Sequence, residues 1–173
     1  MLPSGVRRAK ALRIGREVRG VAVVNTDRPR VKLNVVREGQ RVEIRSTRGR
    51  LLFSTRTERR WLLLQDLMVE GDKGTPLGLI RQRVNQKHFR CDGLDASGST
   101  RFSITGESDD PHFFTARQGD AVLALVHLET SATRLEFCEP TLSEADQVLL
   151  LAAALLVTRL EAPPQTTARP RRV

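Results

Sequence analysis

Val148–Val157 reads VLLLAAALLV, ten consecutive residues without a polar side chain. A helix built from this run offers water no polar face over nearly three turns, so it must be buried on every side. The run falls short of the roughly 18 residues needed to span a bilayer, so protein must surround it. We expect a β-barrel with the helix inside. The alternative is a helix held between a curved sheet and a second subunit.

The residues on either side of this run predict where the helix begins and ends. Two pairs fit the capping-box spacing, in which a hydroxyl and a carboxylate satisfy free backbone amides: Thr141 with Glu144, and Ser143 with Asp146. At the other end, Pro163-Pro164 cannot continue a helix, which predicts an end near Leu160.

The chain from Val21 to Cys138 has the alternation typical of strands. Val31, Leu33 and Val35, for example, are separated by polar residues. Turn dipeptides that end in glycine separate the apolar segments: Glu38-Gly39, Arg48-Gly49, Lys73-Gly74, Ser97-Gly98 and Gln118-Gly119. The predicted strands are 21–25, 30–36, 41–46, 50–56, 61–69, 76–82, 87–92, 100–105, 112–117, 121–128 and 133–138. Short antiparallel strands in this number indicate a barrel or a sandwich.

Composition and charge predict three segments. Residues 1–20 are basic, with scattered glycines and a proline, and predict a flexible arm with a short helical piece. Residues 21–162 form the barrel domain, and residues 163–173 predict a disordered basic tail. The net charge of +9 is concentrated in residues 1–60, which hold 17 Lys and Arg against 5 Asp and Glu. Such a localised positive field attracts polyanions.

Cellular location is predicted from what the chain contains. Two cysteines do not suggest a disulfide framework, and no apolar run follows the first arginines as in a secretory signal. We therefore expect a soluble cytoplasmic protein with access to the membrane surface, and no transmembrane insertion.

The order of elements from Trp61 to Glu161 resembles the phospholipid scramblase and LURP-one-related family, which shares its fold with the tubby C-terminal domain. The segments that carry the resemblance are Gly74–Ile80, His88–Asp92, Ser97-Gly98, Arg101–Ile104, Phe113–Thr115, Gly119, Val122–Val126 and Leu135–Phe137, followed by the acidic start of the apolar helix.

The resemblance implies a β-barrel of about twelve strands around the C-terminal helix, and roles at membranes, such as binding phosphoinositide headgroups. This chain lacks the cysteine cluster, the proline-rich N-terminal segment and the acidic calcium loop of scramblases. Scramblase activity is therefore not implied.

Catalytic and metal sites are not indicated by any local pattern. The three histidines, His88, His112 and His127, all fall on predicted strands without a neighbouring nucleophile and base. His88 and Cys91 would point to opposite faces of a strand, which disfavours a metal site. The acids Glu107, Asp109, Asp110 and Asp120 lack the periodicity of a calcium loop and indicate solvated positions. We expect no enzyme activity, cofactor or metal.

The best functional candidates are cations on the first predicted hairpins: Lys32, Arg41, Arg45, Arg48 and Arg50. Hairpin geometry would bring them within about 10 Å of each other, close enough to hold a phosphate group jointly. Residues 1–50 contain no aromatic side chain on which single-stranded bases could stack. We predict a non-enzymatic domain that binds anionic phospholipid headgroups. The alternatives are a nucleic-acid-associated basic module and a protein–protein adaptor.

Overall fold

A computed structural model describes residues 1–18, 20–27, 32–61, 64–83, 89–107 and 109–160 of the chain. Twelve antiparallel strands close into one barrel, in which the first strand pairs with the last. The strands are β1 (Ala11–Gly15), β2 (Val21–Thr26), β3 (Lys32–Glu38), β4 (Arg41–Ser46), β5 (Leu51–Trp61), β6 (Leu64–Gly71), β7 (Pro76–Arg83), β8 (Arg90–Asp95), β9 (Thr100–Gly106), β10 (Phe113–Gln118), β11 (Ala121–Leu128) and β12 (Ala132–Phe137). The helices are α1 (Ser4–Arg7) and α2 (Glu144–Leu160). The predicted antiparallel barrel with a C-terminal helix is confirmed.

The strands form where the sequence alternates. On β3 and β4, the residues Leu33, Val35, Val42 and Ile44 are all at most 4% exposed and face the interior, while the side chains between them face outward. The hairpin turns lie at the predicted dipeptides, and their glycines all have positive φ angles: Gly39, Gly49, Gly74, Gly98 and Gly119.

The helix α2 is enclosed by the barrel. Every residue from 146 to 157 is buried, and residues 150–154 are fully inaccessible. A helix can be free of water on every face over three turns only if protein surrounds it. The barrel is closed within one chain, so a second subunit is not needed to cover the helix.

The helix begins with one of the two predicted caps. The Asp146 amide donates to Ser143 Oγ over 3.1 Å, whereas Thr141 bonds to Glu139. Arg101 on β9 donates two hydrogen bonds, of 3.0 and 3.1 Å, to the Asp146 carboxylate. Burial opposes ionisation of this carboxyl, but the bonds from Arg101 and Ser143 outweigh it and hold the pKa of Asp146 below its usual value.

The path of α2 through the barrel is off-centre, and Gly78 explains why. α2 makes its most extensive contacts with β7. A Cβ atom built at Gly78 would lie 3.1 Å from Leu149 Cδ2 of the helix and 2.2 Å from the Leu94 carbonyl oxygen. The φ of +152° at Gly78 also disfavours any other residue. The absence of a side chain at Gly78 therefore brings the helix close to the β7–β8 wall.

The prediction of a flexible arm over residues 1–20 is wrong for most of that segment. The strand β1 pairs with both β12 and β2 and so closes the barrel. Leu2, Val6, Leu12 and Ile14 are each at most 3% exposed. The folded domain thus begins well before residue 21, because these scattered apolar side chains complete the core.

Other predicted bounds shift by a few residues. The strand predicted at 87–92 is β8, which begins at Arg90, while His88 lies outside the described residues. The strand predicted at 50–56 continues to Trp61 as β5. The tail predicted over residues 163–173 also lies outside the described residues.

The connections divide between two ends of the barrel. The upper end holds α1, the start of α2 and the β4–β5 turn at residues 47–50. The lower end holds the residues that follow β1, the β11–β12 connection at residues 129–131 and Thr158 near the end of α2.

Candidate functional site

The structure separates the five predicted cations into two groups. Arg41 and Arg45 lie on β4, with side chains on the outer wall of the barrel. Lys32 begins β3, and Arg48 and Arg50 lie in the β4–β5 turn, so these three belong to the upper end. Because β4 runs from the lower end to the upper end, its length separates Arg41 from the turn by roughly 17–20 Å. Arg45 borders the turn, since its Nη1 donates to the Gly49 carbonyl oxygen over 2.8 Å, but Arg41 does not reach it, so the five cations do not all share one site.

The two wall cations are held by one carboxylate. Glu43 lies between Arg41 and Arg45 on the same face of β4, and its side chain is only 11% exposed. Arg45 Nε donates to Glu43 Oε2 over 2.8 Å, and Arg41 Nε lies 3.5 Å from Glu43 Oε1. An incoming anion would have to compete with this half-enclosed carboxylate, so the wall is a poor anion site.

The three upper-end cations line a groove, which we call the upper groove, with a volume of about 600 Å³. Arg7 joins them, because α1 packs over this end of the barrel. The rest of the lining consists of apolar and small polar residues: Met1, Leu2, Pro3, Ser4, Ser46, Thr47 and Leu52.

The charge in the upper groove is only partly compensated. Arg50 Nη2 lies 3.4 Å from Asp72 Oδ2, and Arg7 Nη1 lies 3.9 Å from Glu144 Oε2, so both ion pairs are long. Both arginine side chains are at least 44% exposed, and ion pairs between exposed side chains contribute little binding free energy. Within the described part of the chain, Lys32 and Arg48 form no ion pair. Four convergent cations, of which two are weakly paired and two form no ion pair within the described residues, can accept an anion such as a phosphate group.

Sequence reasoning missed Arg7, which was assigned to a flexible arm. Its place in the upper groove depends on the buried contacts of Leu2 and Val6, which fix α1 against the barrel. The sequence does contain a signal for the role of Glu43. Residues two apart on a strand share a face, so Glu43 is expected beside Arg41 and Arg45.

The histidines do not form a catalytic arrangement among the residues the structure describes. His112 precedes β10 instead of lying on a strand, and its amide donates to Asp110 Oδ1 over 2.8 Å. His127 lies exposed on the outer face of β11, with its ring centroid 6.0 Å from that of Phe113. Cys91 is buried in the core, and burial raises the pKa of its thiol, which disfavours the reactive thiolate.

The acidic residues are also dispersed. Asp109 and Asp110 precede β10 at the lower end, whereas Asp120 follows β10 at the upper end. Glu107 accepts a hydrogen bond of 2.7 Å from Thr115 Oγ1. Across the described ranges, no group of three or more His, Cys, Asp or Glu side chains is placed to hold a metal ion. The expectation that the protein has no enzyme activity and binds no metal stays a prediction.

None of the helices in the described residues is both long enough and apolar enough to cross a membrane. Comparison with protein-family models, with curated proteins and with solved structures finds no match.

Proposed function

We propose that this protein is a non-enzymatic binding domain that engages anionic phospholipid headgroups through the upper groove. The observation that carries the proposal is the convergence of Arg7, Lys32, Arg48 and Arg50 on one groove from three separate segments of the chain. We also propose a relationship to the scramblase and LURP-one-related family, on the sequence pattern between Trp61 and Glu161.

The composition of the upper groove favours a lipid headgroup over a nucleic acid. Met1, 73% exposed, and Pro3 place apolar surface beside the cations, as suits the boundary between headgroups and acyl chains. Among the described residues, no aromatic side chain lines the groove, so bases would find no stacking platform there. Asp72 and Glu144 flank the cations and confine the positive field. A confined field fits one or two phosphate groups better than the continuous backbone of a duplex.

The proposal is tested by co-sedimentation of the full chain with phosphatidylcholine vesicles that contain or lack phosphatidylserine or a phosphoinositide. We expect binding to the anionic vesicles alone, weakened by added salt. The double variant Lys32→Gln/Arg48→Gln should lose about 2 kcal/mol of binding free energy, or about 30-fold in affinity, since each cation near an anionic surface contributes about 1 kcal/mol.

The matched control is Arg13→Gln/Arg134→Gln. These two arginines face each other across β1 and β12 on the outer wall, and their removal changes the net charge by the same amount. Equal loss of binding in this control would show that total charge, not the upper groove, drives association. Binding to duplex DNA with a steep salt dependence, and none to vesicles, would support the nucleic-acid alternative instead.

A further inference from the structure

A second cavity opens at the lower end of the barrel, between α2 and the wall formed by β1–β4 and the β11–β12 hairpin. Its volume is about 690 Å³, within the range of small-molecule sites. The inner part is aliphatic, lined by residues that include Ile14, Ala22, Val35, Val42 and Leu155. We call it the lower cavity.

The off-centre helix explains why this space exists. Leu149 faces β7, where Gly78 allows close contact. Leu155 and Thr158 lie on a different face of α2 and line the lower cavity. Because the helix approaches the β7–β8 wall, it leaves space at the β2–β4 wall, where the inward apolar side chains that line the cavity, Ala22, Val35 and Val42, are no larger than valine. The cavity therefore follows from the packing of the core.

The side chain of Arg37 lies on the inner face of the barrel at the mouth of this cavity. Leu33, Val35 and Arg37 alternate along β3 and share the inward face, and Arg37 is paired in register with the buried Val42. The Arg37 side chain is only 31% exposed. An arginine in this position costs desolvation free energy unless a carboxylate accepts its hydrogen bonds.

The carboxylate on Arg37 is supplied by the chain itself. Arg37 Nε lies 2.8 and 2.9 Å from the two oxygens of Glu17, and Nη2 lies 2.5 Å from Glu17 Oε2. Glu17 belongs to the connection after β1, so it reaches the cavity mouth from a loop. The other acid at the rim, Glu129, is held by Arg13 at 3.0 Å. Glu17 thus occupies the place that a ligand carboxylate would take.

We propose that the lower cavity binds a medium-chain aliphatic carboxylate, with its carboxylate on Arg37 in place of Glu17 and its alkyl chain along Val35, Val42 and Leu155. The described part of the lining contains no aromatic side chain to stack on a ring. A polyanion such as a nucleotide is disfavoured, because Glu17 and Glu129 lie at the same mouth. The exposed Arg16 also lines the cavity, but Arg37 is the arginine on the inward face of the barrel wall. An aliphatic wall beside Arg37 matches a single carboxylate on a hydrocarbon chain.

The test is a calorimetric titration of the full chain with dodecanoate below its micellar concentration, with dodecanol as the uncharged comparison. We expect dodecanoate to bind and dodecanol to bind at least about tenfold more weakly, since the bidentate charge-assisted bonds are absent. Glu17→Gln should tighten dodecanoate binding by about fivefold, because it removes the competing carboxylate. Arg37→Gln should abolish the preference for the acid over the alcohol.

The control is Lys32→Gln/Arg48→Gln in the upper groove, which should leave dodecanoate binding unchanged while it weakens vesicle binding. The two proposals therefore fail separately. Equal affinity for acid and alcohol in the unaltered protein would overturn the proposal, as would an absence of binding to either. If Arg37→Gln does not fold, Glu17→Gln decides, since weaker or unchanged dodecanoate binding in that variant contradicts the role given to Glu17.

Discussion

Gly78→Ala places a single methyl group between the barrel wall and the enclosed helix. The new Cβ would lie 2.2 Å from the Leu94 carbonyl oxygen, 3.2 Å from Asp95 Cα and 3.1 Å from Leu149 Cδ2. Two of these neighbours are backbone atoms, which cannot move aside as a side chain can. The residue would also have to hold a φ of +152°, which alanine rarely adopts.

The expected cost has two parts. Backbone strain contributes about 1–3 kcal/mol, and overpacking of a filled core contributes about 1–3 kcal/mol more. We expect the free energy of unfolding, measured by urea denaturation, to fall by about 2–6 kcal/mol in total. The control is Gly98→Ala, where φ is +86° but no atom lies within 4 Å of the new Cβ. That control should cost about 1–2 kcal/mol. Equal losses in the two variants would refute the close helix–wall contact.

Three further perturbations test other parts of the structure. Leu150→Ala, at a fully inaccessible helix position, should lower the free energy of unfolding by about 2–5 kcal/mol, whereas Val23→Ala, 36% exposed on the outer wall, should change it by less than about 0.5 kcal/mol. Asp146 has a pKa below its usual value, so its contribution is present above about pH 4 and is lost as the pH falls through the folded-state pKa. Asp146→Asn should therefore cost about 1–3 kcal/mol at neutral pH, a difference that narrows below about pH 4 in acid-unfolding curves. A thiol reagent should modify Cys138 in the folded protein and Cys91 only after denaturation, and rapid modification of both would contradict the packing of β8.

The fold could be predicted from the sequence because its decisive signals are local. The uninterrupted apolar run from 148 to 157 requires burial on every side, which few architectures other than a closed barrel provide. The glycine turn dipeptides mark hairpin tips within a few residues of each other along the chain. Neither signal needs knowledge of distant contacts.

The first strand was missed because its evidence is not local. Leu12 and Ile14 form only a brief alternation between basic residues and glycines, as in an unstructured arm. Their burial depends on pairing with β12, more than a hundred residues later in the chain. This strand forms because it closes the barrel, and closure depends on the whole chain.

The sequence predicts only part of the candidate site, because some of its residues meet through contacts between distant parts of the chain. Lys32 begins β3, and Arg48 and Arg50 lie in the turn that follows β4, the neighbour of β3, so hairpin geometry alone brings them together. Arg7 reaches the upper groove only through the packing of α1. The sequence does contain a signal for Arg37 at the lower cavity, since its alternation with Leu33 and Val35 directs its side chain inward.

Enclosure of α2 on every side is tested most directly by cysteine accessibility at Ala152, Ala153 and Ala154. Successive helix positions differ by about 100°, so these three fully inaccessible residues sample most of the helix circumference. In a Cys138→Ala background, each alanine is replaced singly by cysteine and exposed to a maleimide reagent under native conditions. Enclosure predicts that all three variants stay unmodified until the protein unfolds. Modification of any one in the folded protein, at the rate shown by Cys138, would mean that one face of the helix is open to solvent.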